Sequence, residues 1–152
     1  ITHAALQQYA QALADYGRAI ALDPNDAKAY YNRGITHAAL QQYDRALADY
    51  DWAIALAPDD SSTYVNRGST HQALHQNERA LADFDRAIEL DPNNAKTYFN
   101  RAIVHADLQQ NQRALADLGR AIELNPNDAP AYHNRGGDPC RYAGIWAGVG
   151  GL

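Results

Sequence analysis

Apolar and small residues between residues 27 and 58 fall three or four apart in two successive runs. Tyr30, Gly34, His37 and Leu40 share one face of a helix predicted over about residues 27–40. Ala46, Leu47, Tyr50, Ala53, Ile54 and Leu56 mark the inner side of a second, over about residues 44–56. Asp26 stands where a short polar side chain accepts from free backbone N–H groups at a helix start, and Pro58 follows the second run, which it cannot continue. The pattern predicts a pair of helices joined by a short turn.

The pair recurs. Tyr30-Tyr31-Asn32-Arg33-Gly34 returns as Tyr64-Val65-Asn66-Arg67-Gly68, Tyr98-Phe99-Asn100-Arg101-Ala102 and Tyr132-His133-Asn134-Arg135-Gly136, each displaced by 34 residues. Ala-Leu-Ala-Asp recurs with the same step at 12–15, 46–49, 80–83 and 114–117, and prolines close the blocks at 24, 58, 92 and 126. Asp60, Asn94 and Asp128 take the helix-start place of Asp26. Antiparallel helix pairs repeated in tandem predict an all-α fold, a solenoid in which each pair packs on its neighbours.

Tyr30, Gly34, His37, Ala46, Tyr50, Ala53 and Pro58 follow the alternation of aromatic and small residues ending in proline that marks the tetratricopeptide repeat, with histidine in place of one tyrosine. Over residues 1–136 the chain resembles that family, which implies a right-handed α-solenoid. In this register it holds a partial repeat (1–26), full repeats at 27–60, 61–94 and 95–128, the opening of another (129–136), and a tail at 137–152. A partial first repeat resembles a fragment of a longer array, and its uncovered helix face predicts self-association.

Composition narrows the function. Of 152 residues, 46% are apolar and 20% charged, enough apolar surface for a packed core. A formal charge of −5 opposes phosphate-backbone binding, and the strict 34-residue step differs from that of the related 35-residue RNA-binding helical repeats, so no nucleic-acid partner is expected. No apolar run is long enough to cross a bilayer, so no membrane partner is expected. The single Cys140 favours a soluble, cytoplasmic setting over a disulfide-stapled secreted one. There is no nucleophile elbow, phosphate-cradling glycine loop or metal-ligand cluster, so the chain is expected to be no enzyme and to need no cofactor or metal.

The resemblance implies that the first helices line a concave groove. Its wall then carries Lys28, Ser62 and Lys96; Tyr31, Val65 and Phe99; Asn32, Asn66 and Asn100; and Ile35, Ser69 and Ile103. A carboxamide offers a donor and an acceptor together, matching a peptide group, so an asparagine ladder can hold an extended chain by its backbone. The same asparagines can instead order the packing between helices. The lysine, asparagine and arginine pattern with which family members grip a chaperone's acidic C-terminal tail is broken here: Tyr31, Ile35 and Asn100 replace three of its members, leaving the central Asn66 and Lys96.

Other recurrences read as structural. His3, His37, His71 and His105 are related by translation and point the same way, so they do not converge on a metal; hydrogen-bonded core positions are expected. His71 and His75 have the spacing of a bidentate pair but no third ligand. Arg33, Arg67, Arg101 and Arg135 recur with Asp15, Asp49, Asp83 and Asp117, predicting arginine–carboxylate pairs that link helices within or between repeats, with anion binding as the alternative. Trp52 stands on the outer face where other repeats have Arg18, Arg86 and Arg120, as a contact anchor or stacked on a neighbouring arginine. The glycine-rich tail either lacks regular structure or forms a short cap with Tyr142, Ile145, Trp146 and Val149 at helical spacing. The expected function is a non-catalytic protein-interaction module that takes an extended peptide or partner helix in its groove; the alternative is an architectural spacer or self-assembling segment without a dedicated ligand.

Overall fold

The computed structural model describes residues 3–127 and 129–136. Among them are eight helices and no strand: α1 (His3–Leu22), α2 (Ala27–Ala39), α3 (Tyr43–Leu56), α4 (Ser61–Ala73), α5 (Asn77–Leu90), α6 (Ala95–Asp107), α7 (Asn111–Leu124) and α8 (Ala129–Gly136). Helices α2 and α3, α4 and α5, and α6 and α7 form three hairpins. Each hairpin packs on the next through its second helix against the following first helix. First helices also touch across hairpins, α2 to α4 and α4 to α6, which places them on the inner wall of a right-handed solenoid.

Local chemistry sets these boundaries. Asp26 Oδ1 accepts from the Ala29 amide at 3.0 Å, and Asp60 Oδ1 from the Ser62 amide at 3.2 Å. Asn94, expected to do the same, makes no side-chain cap bond; Asp128 and the tail at 137–152 lie outside the described residues. The turn inside each hairpin puts Gln41, His75 or Gln109 at φ 55–58°. Gln42 N–H donates to His37 O and Gln41 N–H to Ala38 O, both at 2.9 Å, so a left-handed residue closes the first helix and sends the chain back.

Small residues allow the hairpin helices to touch. A Cβ on Gly34 would stand 2.7 Å from the Tyr50 ring, and one on Gly68 2.9 Å from the Phe84 ring. The third hairpin has Ala102 and the smaller Leu118 at these two positions, both buried. Two apolar clusters run through the hairpins, one built on Tyr64, Val65, Phe84 and Val104, the other on Phe99, Ala102, Leu118 and Ile122.

Helix α1 is a single helix of 20 residues that runs straight through Gln7 and Gln8, the register positions of the turns at Gln41–Gln42 and His75–Gln76. The later turns are anchored by Tyr30 and Gly34, or their counterparts, packed on the second helix.

Candidate peptide groove

The inner wall displays the expected residues unequally. Lys28, Ser62 and Lys96 are exposed, as is Ile35, whereas Asn32, Asn66, Asn100, Ser69, Ile103 and Tyr31 are half-buried. Val65 and Phe99 differ from the expectation of groove contacts: each is only 6% exposed and belongs to a core cluster, so neither offers a ligand much surface. Their apolar side chains gain more by turning between the helices of their hairpins than by facing water.

The asparagines already do one job. Asn66 Nδ2 donates to the Tyr31 hydroxyl at 3.0 Å, and Asn100 Nδ2 donates to Ser69 Oγ at 3.3 Å, each reaching back one repeat. These bonds tie neighbouring first helices along the wall. Each uses one N–H, and a carboxamide has a second N–H and a carbonyl oxygen besides. The packing role and a ligand-binding role are therefore compatible in the same side chain.

A cleft of about 320 Å³ opens where α2 and α3 meet the start of α4. Lys28, Tyr31 and Ser62 line it as the sequence led one to expect, together with Asp60 and Thr63, which sequence reasoning missed. The missed signal was Asp60 itself, read only as a helix cap. Burial first, and then the Asp60 carboxylate, push the Tyr31 hydroxyl above its ordinary pKa, with the Asn66 hydrogen bond opposing. Tyr31 thus stays protonated, accepting from Asn66 and keeping its own proton to donate.

The recurrent ions stand behind this wall. Arg33 grips Asp49 with two bonds, Nε to Oδ2 at 2.9 Å and Nη2 to Oδ1 at 2.7 Å. Arg67 repeats the fork on Asp83 and Arg101 on Asp117. Each guanidinium also lies over a tyrosine ring of its own helix, 5.5–5.7 Å from its centre. Arg67 and Arg101 reach further, donating through Nη1 to Asp51 and Asp85 of the preceding repeat at 2.7 Å. The register position of Asp51 and Asp85 holds Gly17 ahead of Arg33 and Gly119 ahead of Arg135, so only the two central junctions carry this cross-repeat link.

The histidines are core residues. His37, His71 and His105 are buried, with Nδ1 bonded to Gln42, Gln76 and Gln110 at 2.8–2.9 Å and Nε2 facing the aspartate of the fork at 3.8 Å. His75 is exposed on the turn while His71 points inward, so the two do not form a pair. Among the described residues, no three His, Cys, Asp or Glu side chains gather as a metal site, and no helix is long and apolar enough to cross a membrane. Trp52 stacks on Tyr30, ring centres 6.0 Å apart and planes 23° from parallel, rather than on an arginine. Its place in the register lies over the first tyrosine of its own repeat, and 58% of it stays exposed.

Known proteins fit this geometry. The tetratricopeptide repeat sequence family matches residues 1–67 and again 68–133. The crystal structure of MamA superposes with a TM-score of 0.82 at 20% identity, over 87% of this chain and 77% of that one. The first tetratricopeptide domain of Spaghetti (RPAP3), bound to the HSP90 peptide SRMEEVD, gives 0.73 at 25% identity, over 80% of this chain and 96% of that one. YrrB, a repeat protein with an unusual peptide-binding site, gives 0.74 at 26% identity, over 88% and 69% respectively. No curated protein matches the sequence. Repeat register, stacked hairpins and sequence match agree: the chain belongs to the tetratricopeptide repeat family.

Proposed function

We propose that this chain is a non-catalytic protein-interaction module that binds an extended peptide or partner helix along the inner wall of α2, α4 and α6. The observation that carries this reading is the half-exposed asparagine ladder, in which Asn66 and Asn100 spend one N–H on the neighbouring repeat and keep a carbonyl and a second N–H. Successive amides at the repeat spacing suit a ligand main chain, which presents alternating C=O and N–H groups. Exposed Ile35 and half-buried Ile103 supply apolar contact, and Lys28 and Lys96 supply charge. The cleft at Tyr31 gives one ligand side chain a pocket with a hydroxyl, a carboxylate and an ammonium at its edge.

That RPAP3 domain binds an acidic peptide, and YrrB has a peptide site; both support a peptide ligand here. An acidic C-terminal tail suits this groove poorly, because Tyr31, Ile35 and Asn100 stand where the chaperone-binding pattern needs its ionic and amide grips. A peptide-array screen tests the proposal, comparing the parent chain with Asn32→Ala, Asn66→Ala and Asn100→Ala. Selective capture that the alanine variants lose supports groove binding. No captured sequence, or capture indifferent to all three changes, overturns it in favour of a purely architectural segment.

A further inference from the structure

The cleft where α2 and α3 meet the start of α4 is built from residues that the next repeat does not keep. Ala57 lines it where the following repeats have Asp91 and Asn125, and Ser62 lines it where the next repeat has Lys96. Asp60 lines it where the next repeat has the neutral Asn94. Ala27 and Ala53 add further apolar wall. Short apolar side chains therefore surround a carboxylate that is held in place. Asp60 Oδ1 accepts from the Ser62 amide, and Oδ2 accepts from the Thr63 hydroxyl. A carboxylate has room for about four such bonds, so both oxygens keep accepting capacity. Asp60 is half-buried, and none of the ion pairs among the described residues includes it.

We propose that this cleft is a specificity pocket for a basic side chain, lysine or arginine, of the bound peptide. The aliphatic stem lies on Ala27, Ala53 and Ala57, and the cationic head meets Asp60; long cationic side chains bury their methylenes and keep the charge at the rim in this way. An apolar side chain of equal length gains the wall but not the carboxylate, and an acidic one is repelled. Lys28 also lines the cleft, but it is exposed on a flexible stem and can turn into solvent, whereas Asp60 is fixed. The field of Asp60 already reaches the Tyr31 hydroxyl, whose proton it helps to retain. One repeat further on, Lys96 in the place of Ser62 repels a second basic side chain, so a single residue of the ligand sets its register along the asparagine ladder. Delivery of that side chain by a peptide rests on the groove reading; the preference of the cleft for a cation does not, so the two can fail separately.

The test titrates the N-acetyl methylamides of lysine, arginine, norleucine and glutamate into the nitrogen-15-labelled chain and follows its amide resonances. The lysine and arginine probes are expected to shift the amides of Ala57, Asp60, Ser62 and Thr63 saturably. Norleucine and glutamate should bind about fivefold more weakly or worse, the worth of one good ion pair at a surface. High salt should narrow that difference. Ser62→Lys and Asp60→Asn copy Lys96 and Asn94, which the same fold already carries one repeat on. Each variant should keep a cooperative melting transition while losing the preference for the basic probes over norleucine. Norleucine or glutamate binding as tightly as lysine, no saturable shift with the basic probes, or a preference that survives both substitutions would each overturn the proposal. Cation-selective shifts in a chain that captures no peptide on the array would support the pocket and overturn the groove reading alone. Captured peptides that share no lysine or arginine would overturn the pocket alone.

Discussion

The Phe84 ring occupies the space that a side chain at Gly68 would need: a Cβ there would stand 2.9 Å from the ring and 3.2 Å from the Asp83 Cβ. Both neighbours belong to a buried helix face with little freedom to move aside. Gly68→Ala is therefore expected to destabilise the chain by about 1–3 kcal/mol, despite alanine's better helix propensity. The third hairpin, with Ala102 and Leu118, indicates the remedy. Adding Phe84→Leu to Gly68→Ala should recover part of the loss, and a double-mutant cycle in urea measures the coupling; strict additivity would mean that the two residues do not contest the same space.

Arg67 separates the worth of two kinds of ion pair. Its fork onto Asp83 is largely buried, whereas Asp51, its other partner, is 64% exposed. Arg67→Met leaves the Asp83 carboxylate without its guanidinium and should cost about 3–5 kcal/mol. Asp51→Asn should cost less than about 1 kcal/mol, and that small loss should shrink further in high salt. Denaturation midpoints at low and high salt check both; equal losses for the two variants would show that the fork is not the principal contact.

Alkaline pH should unfold the chain earlier than a chain of exposed tyrosines. Burial, followed by the nearby Tyr31 and Asp49, pushes the Tyr50 hydroxyl above the ordinary tyrosine value, and burial does the same for Tyr31. In the unfolded chain these groups ionise near pH 10. Above that pH the unfolded state holds fewer protons than the folded state, so stability falls as pH rises; below it the contribution is fully present. Tyr50→Phe, which copies Phe84, should flatten the fall, as read from urea midpoints between about pH 8 and 11. An unchanged slope would assign the alkaline loss to other groups.

The hairpin turns leave room for stabilisation. Gln41, His75 and Gln109 hold φ of 55–58°, a region that costs a side-chain-bearing residue about 1 kcal/mol or more. Gln41→Gly should raise the melting temperature, with a gain of about 0.5–1 kcal/mol after the entropy cost of glycine in the unfolded chain. His75→Gly should behave alike, and a fall in both would show that the side chains contribute contacts worth more than the strain.

Much of this architecture was legible because the sequence repeats. Recurrence placed Arg33 opposite Asp49 and set the ends of α2 and α3 to within a residue or two, and it marked His37 as a core residue. What one repeat cannot show is how its neighbour fills the adjoining space. Val65 and Phe99 turned into the core because the helices beside them left room there. The asparagine donors found different acceptors, Tyr31 and Ser69, because the preceding repeat offers a different hydroxyl at each step. Trp52 met Tyr30 rather than a guanidinium, since only the packed hairpin brings those two register positions together.

Gly17 and Gly119 give the array a graded cooperativity. The junctions of α3 with α4 and of α5 with α6 are stitched by a guanidinium shared between repeats, a link that Gly17 and Gly119 cannot supply at the outer two. In a stack where each unit answers only to its neighbours, loss of order starts at the weakest seams and travels inward. Amide exchange should accordingly be fastest in α1 and α8 and slowest in α4 and α5, so that the rims melt and reform while the middle keeps its shape.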